Sequence, residues 1–360
     1  MTDQREDTIA FYVGSYSIPS PWAGAPGAHG AGICRAELNI ESGEIVFGPK
    51  EWQINPSFLV HDQHTRHLWA ITEPEFAGDL VSYRTNAVGA LDFIAGLATG
   101  ADAPCHLVID WNRRLAFVAH YHGGSVTMLS LTDSGAPLQR LAMAALPASA
   151  RGEDRSQARS RPHASLLLDD DELLVIDTGR DLVLLYKICL GSPARLELVD
   201  ALPLPSGFGP RHMAHSRGVI YVSNQNSGGV SVIARIMRSE GPGLELRSVI
   251  SAPGLGRTPP VPSEIAIHPK LDVVYMANRM DDSLSIFSIE SERGELASRG
   301  CIDIRGRNPR HFAASPDGNW LIVANQDSDN LTCFRISQDG RELEWTGRRH
   351  EIDTPSAICF

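Results

Sequence analysis

A proline opens a short apolar run again and again along this chain. The motif occurs at Asn55-Pro56-Ser-Phe-Leu-Val, Ala103-Pro104-Cys-His-Leu-Val, Arg161-Pro162-His-Ala-Ser-Leu, Gly209-Pro210-Arg-His-Met-Ala, Val261-Pro262-Ser-Glu-Ile-Ala, Asn308-Pro309-Arg-His-Phe-Ala and Thr354-Pro355-Ser-Ala-Ile-Cys. Successive prolines lie 48, 58, 48, 52, 47 and 46 residues apart by their numbering. Self-similarity at this period means one supersecondary unit per repeat, each burying its apolar face against its neighbours. After each proline run comes a turn, a second apolar run such as Val219-Ile-Tyr-Val-Ser or Trp320-Leu-Ile-Val-Ala, another turn, and then alternating residues such as Ser283-Leu-Ser-Ile-Phe-Ser-Ile. Period-two alternation, β-branched residues and Gly/Asn/Asp punctuation predict strands. No long stretch has the helical period that a parallel α/β sheet requires.

Three clear strands and a weaker fourth per unit of about fifty residues make a propeller blade. Six prolines open complete units, and Pro355 opens only residues 354–360. At the other end, Ile9-Ala-Phe-Tyr-Val-Gly-Ser-Tyr and Gly32-Ile-Cys-Arg-Ala-Glu-Leu lack a preceding proline strand. The chain is therefore expected to be an all-β, seven-bladed β-propeller over residues 1–360, closed by its C-terminal strand joining the N-terminal blade. Closure hides the sheet edges that an open array exposes. The Trp-Asp dipeptide does not recur at blade ends and kelch patterning is absent. The one long spacing comes from residues 144–160, a polar stretch expected to be a surface loop over one end of the channel.

Composition narrows the function. With 42% hydrophobic and 21% charged residues, 32 Gly and 23 Pro, the chain reads as an ordered, turn-rich protein. A net charge of -11 argues against non-specific nucleic-acid binding, which needs an extended basic surface. The start, Met1-Thr-Asp-Gln-Arg-Glu-Asp, is charged where a secretory signal is apolar, and no segment approaches a membrane span, so a cytoplasmic location without membrane contact is expected. The six cysteines are scattered without CxxC spacing and read as free thiols rather than metal ligands. His61-Asp-Gln-His64-Thr-Arg-His67 has the look of a metal cluster, but it falls in the turn between a first and a second strand, on the face opposite the one discussed next. Gly123-Gly124 and Gly228-Gly229 read as turns rather than phosphate loops, since no helix follows. No metal and no cofactor is expected, and oligomeric state is not readable.

In a propeller the first strand of each blade lines the channel, and the turn after the second strand returns to the same rim. First strands bring His106, His163, Arg211, His212, Glu264, Arg310 and His311 there. Second-strand ends bring Glu73, His120, Asp177, Asn224, Gln225, Asn278, Arg279, Asn325 and Gln326. A polar channel that only satisfies itself needs no such set. Three arginines repel one another unless an anion or carboxylates lie between them, which points to a small anionic ligand at the mouth.

Nearly the whole chain resembles the lactonase-type seven-bladed propellers, which include propeller 6-phosphogluconolactonases and fungal 3-carboxy-cis,cis-muconate lactonizing enzymes. The resemblance runs from Phe11-Tyr-Val-Gly-Ser-Tyr through Asn55-Pro-Ser-Phe-Leu, Tyr121-His-Gly-Gly-Ser-Val, Asp177-Thr-Gly-Arg-Asp, Gly209-Pro-Arg-His-Met, Ser263-Glu-Ile-Ala-Ile-His-Pro, Ala277-Asn-Arg and Asn308-Pro-Arg-His-Phe to the final Thr354-Pro-Ser-Ala-Ile-Cys-Phe. The family's site implies roles for His163, Arg211 and Arg279. Its glutamate position falls on Gln225, whose neutral amide cannot act as a carboxylate base. Ser165 stands where many relatives have a second histidine, and His120 where asparagine is usual.

The resemblance implies opening of a sugar lactone, with 6-phosphogluconolactone as the implied substrate and carbohydrate metabolism through the pentose phosphate pathway as the setting. Water attack on a lactone carbonyl needs a base and an oxyanion donor. His163 is the expected general base, Glu264 the second choice and Asp177 the orienting carboxylate. Arg211 and Arg279 are expected to bind a phosphate or carboxylate and polarise the carbonyl. Arg310, His212, His106, Gln225, Asn278 and Gln326 are expected to support substrate binding. Lactonizing cycloisomerisation of a carboxylated muconate and non-catalytic binding of a ligand or protein partner are the alternatives.

Overall fold

In the computed structural model, which describes residues 7–151, 153–154, 158–168 and 171–360, seven four-stranded antiparallel sheets stand in a ring. Blade 1 takes its innermost strand from the C-terminus: Pro355–Cys359 pairs with Thr8–Ser15, followed outward by Ile33–Asn39 and Ile45–Glu51. Blades 2 to 7 are each continuous in sequence, and their innermost strands are Leu59–Asp62, Pro104–Asp110, Pro162–Leu167, Pro210–Ser216, Val261–Ile267 and Pro309–Ala314. Each innermost strand lies against the next, and Pro355–Cys359 touches those of blades 7 and 2, so the ring is closed. Closure by the C-terminal strand agrees with the sequence expectation.

An apolar cluster fills the gap between every neighbouring pair of blades. Blades 7 and 1, for example, meet through Phe11, Val13, Trp320 and Ile322, and blades 5 and 6 through Tyr221, Val232, Met276 and Phe287. The second strands, such as Val219–Asn224 and Trp320–Asn325, are buried along their full length, whereas fourth strands such as Leu91–Ala98 are largely solvated. That gradient explains why the second strand of each unit reads as a continuous apolar run and the fourth is weak in the sequence.

Two backbone devices at the repeat proline position the rim. The preceding residue has positive φ at Asn55 (41°), Ala103 (50°), Gly209 (61°), Asn308 (56°) and Thr354 (44°), a conformation costing a non-glycine residue about 1–2 kcal/mol. Its carbonyl is used: those of Thr354, Asn55, Ala103, Arg161, Gly209 and Asn308 accept the amides of Tyr16, Glu73, Tyr121, Thr178, Gln225 and Gln326 at 2.7–3.1 Å. The rim residue that follows each second strand is thereby tied to the start of the first strand. Just after the proline the pairing slips by one residue in blades 3 to 7, as between Pro104 and His106 or Pro309 and His311. Such bulges re-aim side chains. Here they let consecutive pairs, Arg211 with His212 and Arg310 with His311, both enter the channel region.

Among the described residues no helix is long and apolar enough to cross a membrane. All six cysteines are free thiols.

Candidate active site

Seven equivalent positions, one per blade, form the outer ring of the channel mouth: Tyr16, Glu73, Tyr121, Thr178, Gln225, Arg279 and Gln326 stand at or just after the ends of the seven second strands. Immediately beneath them the residues after the repeat prolines contribute His163, Arg211 and Arg310, and the next residues contribute Phe58, His106, His212, Glu264 and His311.

The rings interlock through polar contacts. Arg211 Nη1 donates to Gln225 Oε1 (2.7 Å). Arg310 donates to the Ala23 carbonyl (2.9 Å), to Gln326 Oε1 (3.3 Å) and to the Tyr16 hydroxyl, which in turn donates to Glu73 Oε2 (2.7 Å). Arg279 Nε donates to Asn308 Oδ1 (2.8 Å). Neither Arg211 nor Arg279 has a carboxylate partner among the described residues, and Arg310 reaches Glu73 only through Tyr16. Burial, then the charge of Arg310, pushes Arg211 down to about 10; burial, then Arg211 and Arg310, pushes Arg279 down to about 9. Both remain cationic at neutral pH. Desolvating an ion costs several kcal/mol unless it is paired, so this arrangement concentrates costly, uncompensated cationic charge at the mouth.

His163 sits beside them. Its ring is 5.1 Å from that of His212 and 5.6 Å from that of Tyr121. Burial foremost, then Arg211, His212 and Arg310, holds its pKa well below the ordinary histidine value, so it is neutral at pH 7. Its Nδ1 is buried without a hydrogen-bond partner, as is Arg211 Nε. Both atoms are thus open to a further hydrogen bond.

Below this lies a histidine layer. Glu264 Oε2 accepts His212 Nδ1 (2.7 Å) and lies 3.2 Å from His311 Nε2, while the Ile358 amide donates to His311 Nδ1 (3.3 Å). This pattern fixes both tautomers and leaves Nε2 of His212 as its acceptor nitrogen. His106 accepts the Ser165 amide at Nδ1 (3.4 Å) and packs on Phe58 with ring centroids 4.1 Å apart.

Two expected site residues face elsewhere. Asn278 is fully buried inside its own blade, where Nδ2 donates to Ser283 Oγ (3.0 Å) and Ser285 Oγ (2.8 Å), and so it does not bind at the mouth. Asn224 and Asn325 make the corresponding contacts to Ser231 and Thr332. Asp177 does not orient His163: Oδ2 accepts Ser160 Oγ (2.7 Å), and Oδ1 accepts the amides of Arg161 (2.8 Å), Gly179 (3.0 Å) and Arg180 (3.1 Å). The reason is shared. The second-strand residue that pairs with the repeat proline, such as Asp177, Asn224, Asn278 or Asn325, points into the blade, and only the next one points into the mouth.

Sequence reasoning missed Tyr16 and Tyr121, although both occupy the repeat position that also yields Arg279. It also missed the segment between the first two sequential strands of blade 1. There a short 3-10 turn, Pro21–Ala23, brings the Ala23 carbonyl to Arg310 and the Gly24 carbonyl to Gln326 Nε2 (2.7 Å), while Trp22 reaches His122 of blade 3 with ring centroids 5.2 Å apart. Gly24 has φ of 75° and lies against Arg279: a Cβ there would be 3.3 Å from Nη2. The long segment 144–160 is also at this rim, held by Arg180, which donates to the carbonyls of Leu146, Pro147 and Ala158 at 3.0–3.1 Å; residues 152 and 155–157 lie outside the described residues.

Residues 10–360 match the sequence model of the family described as "Lactonase, 7-bladed beta-propeller". The chain belongs to this family. It is thereby a lactonase-type hydrolase acting on a lactone. The lactonase is 27% identical over 343 residues to the 6-phosphogluconolactonase of Formosa agariphila, covering 92% of this chain and 94% of the relative. It is 25% identical over 311 residues to that of Bacillus subtilis, covering 85% and 86%. Among solved structures it is similar to the periplasmic gluconolactonase of Pseudomonas aeruginosa, with a TM-score of 0.85 at 25% identity and 98% of each chain covered. A Lactobacillus plantarum protein with a TM-score of 0.85 at 19% identity, also covering 98% of each chain, shares the fold.

Among the described residues no three His, Cys, Asp or Glu side chains are grouped as metal donors. His61 packs edge-on against Tyr12 and His67 stacks on Trp69 while its Nε2 contacts the Ser134 carbonyl, so the histidines of that segment point apart.

Proposed function

We propose that this lactonase opens an anionic sugar lactone of the 6-phosphogluconolactone type. The observation that carries the reading is the convergence of Arg211, Arg279 and Arg310, none directly paired with a carboxylate among the described residues, with Arg211 and Arg310 also facing His163, whose Nδ1 is unpartnered. Lactone hydrolysis begins with a neutral ester carbonyl, passes through a tetrahedral oxyanion and ends in a carboxylate. Negative charge therefore appears at the reacting carbon, and fixed cations in a desolvated site favour that charge over the starting ester.

His163 takes the proton from the attacking water and returns it to the ring oxygen as the carbon–oxygen bond breaks, so the base is regenerated within one turnover. Its depressed pKa keeps it unprotonated but makes it a weak base. Charge developing on the substrate between His163 and the guanidiniums offsets their repulsion and strengthens the base when the proton moves. Gln225, which stands at the family's glutamate position, accepts from Arg211 without neutralising it. The arginine thus keeps its full charge for substrate. His212, oriented by Glu264, supports His163 from the channel side.

The test is a steady-state assay of the purified protein with 6-phosphogluconolactone, unphosphorylated δ-gluconolactone and a carboxylated muconate. Hydrolysis of the lactones, with kcat/KM highest for the phosphorylated one, supports the reading. Turnover of the muconate alone, or anion binding without turnover of any substrate, rejects it.

A further inference from the structure

Beside the mouth a cavity of about 290 Å³ is lined by Tyr121, Arg159, Arg161, Gln225 and Asn226 among others, with Asp181 at its wall. It shares Tyr121 and Gln225 with the outer ring and is therefore continuous with the place where Arg211 holds Gln225. Arg161 lies over the Tyr121 ring, 5.3 Å from its centroid, and donates to the Tyr121 hydroxyl (3.2 Å). Arg159 donates to the His122 carbonyl (3.1 Å). Neither guanidinium has a carboxylate partner among the described residues, and Asp181 does not supply one: its two oxygens accept the Gly207 and Gly209 amides at 2.8 and 2.6 Å.

These two arginines are anchored through their backbone. Asp177 grips the Ser160 hydroxyl and the Arg161 amide, the Thr178 amide donates to the Arg161 carbonyl (3.0 Å), and Arg180 holds the Ala158 carbonyl. Gly179 lets the strap formed by residues 158–161 pass close by, since a Cβ at that position would come within 2.0 Å of the Arg159 carbonyl oxygen. A backbone fixed this firmly limits the entropy lost when the side chains engage a ligand.

We infer that Arg159 and Arg161 form a subsite for the phosphate that a sugar lactone already carries, separate from the inner arginines that meet the charge created by the reaction. The inference rests on the reading of the mouth as a lactone-opening site and divides its cations by task. The inner three act on the reacting carbon. The outer two, with the Gln225 and Asn226 side chains at their edge, recognise the distal anion, for which guanidinium forks are suited. Asp177 is a positioning residue of this subsite.

The experiment compares wild-type protein with Arg159→Ala, Arg161→Ala and the double variant, measuring kcat/KM for 6-phosphogluconolactone and for δ-gluconolactone. The double variant is expected to lose about 10- to 100-fold on the phosphorylated substrate and to stay within about twofold of wild type on the unphosphorylated one. Equal losses on both substrates, or no loss on either, overturn the subsite. Should wild-type protein hydrolyse neither lactone, the reading of the reaction fails and the subsite is judged alone by calorimetric titration with 6-phosphogluconate. Binding that the double substitution weakens at least tenfold then supports it, and binding that is absent or unchanged overturns it.

Discussion

The two faces of the ring differ in how they treat polar side chains. On the face away from the mouth, the turns between first and second strands of blades 6 and 7 border a cavity of about 850 Å³ lined by His268, Lys270, Asp317, Arg335, Glu342 and Glu344 among others. Its histidine and one of its carboxylates are already satisfied. His268 Nδ1 accepts two amides at 3.0 Å while its Nε2 contacts the Gly318 carbonyl (2.9 Å), and Asp317 accepts from Ser315 and Asn319. The mouth holds buried Arg211 with an orphaned Nε and buried His163 with an orphaned Nδ1. What sets the mouth apart is buried cationic charge without a carboxylate partner among the described residues.

The largest effects should come from removing that charge. Arg211→Ala is expected to lower kcat/KM for a lactone about 100- to 1,000-fold, with circular dichroism unchanged, because the guanidinium contributes to the reaction rather than to the ring. His163→Ala should lose activity over a similar range, about 100- to 10,000-fold. Loss below tenfold for both would place the chemistry away from the mouth. Glu264→Gln should cost about tenfold, since the amide still reaches His212 but no longer fixes both histidine tautomers; kcat should fall more than KM changes. Asp177→Asn should act at the strap instead, raising KM for a phosphorylated lactone severalfold while leaving kcat nearly intact. A fall in kcat matching that of His163→Ala would restore Asp177 to the catalytic role that the structure denies it.

Acidity sharpens the same contrast. Burial is the leading cause that holds His106, His163 and His212 well below the ordinary histidine pKa. For a base whose folded pKa is lowered, the stability it contributes is complete above the unfolded value, about 6.5, and is lost as pH falls from there toward the folded value. Tm should therefore drop on acidification below about pH 6.5, and Phe58, packed against the His106 and His212 rings, adds to the cost of charging them. The acid limb of kcat/KM should lie below that of a free histidine. On the other face, Lys270→Ala and His64→Ala should leave kcat/KM within about twofold of wild type, the smallest effect of the set.

The proline spacing made the ring legible, and the unpaired Pro355 strand made its closure legible, because a blade that lacks one strand at each end of the chain has a single way to become whole. The site was legible to within one residue. Asn278 and Asp177 were expected in the mouth, yet they pair with their repeat prolines and turn into their blades, while Arg279 and Thr178 follow them and face the mouth. A strand's alternation specifies inside and outside only as far as the ladder continues; the bulges after the prolines and the turn after the second strand break it. Tyr16 was obscured for a different reason. Its hydroxyl matters through Glu73 and Arg310, residues 57 and 294 positions away, a relation that only closure creates. The 3-10 turn at Pro21–Ala23 belongs to no repeat and so left no periodic signal.

The central claim is that Arg211 and Arg279, distant in sequence, act on one small anion. A double-mutant cycle on kcat/KM with Arg211→Ala, Arg279→Ala and the pair measures it most directly. Shared action on one oxyanion predicts that the two losses fail to add, with a coupling of about 1 kcal/mol or more. Losses that add to within about 0.5 kcal/mol would mean the two arginines serve separate ends, and the account would be wrong.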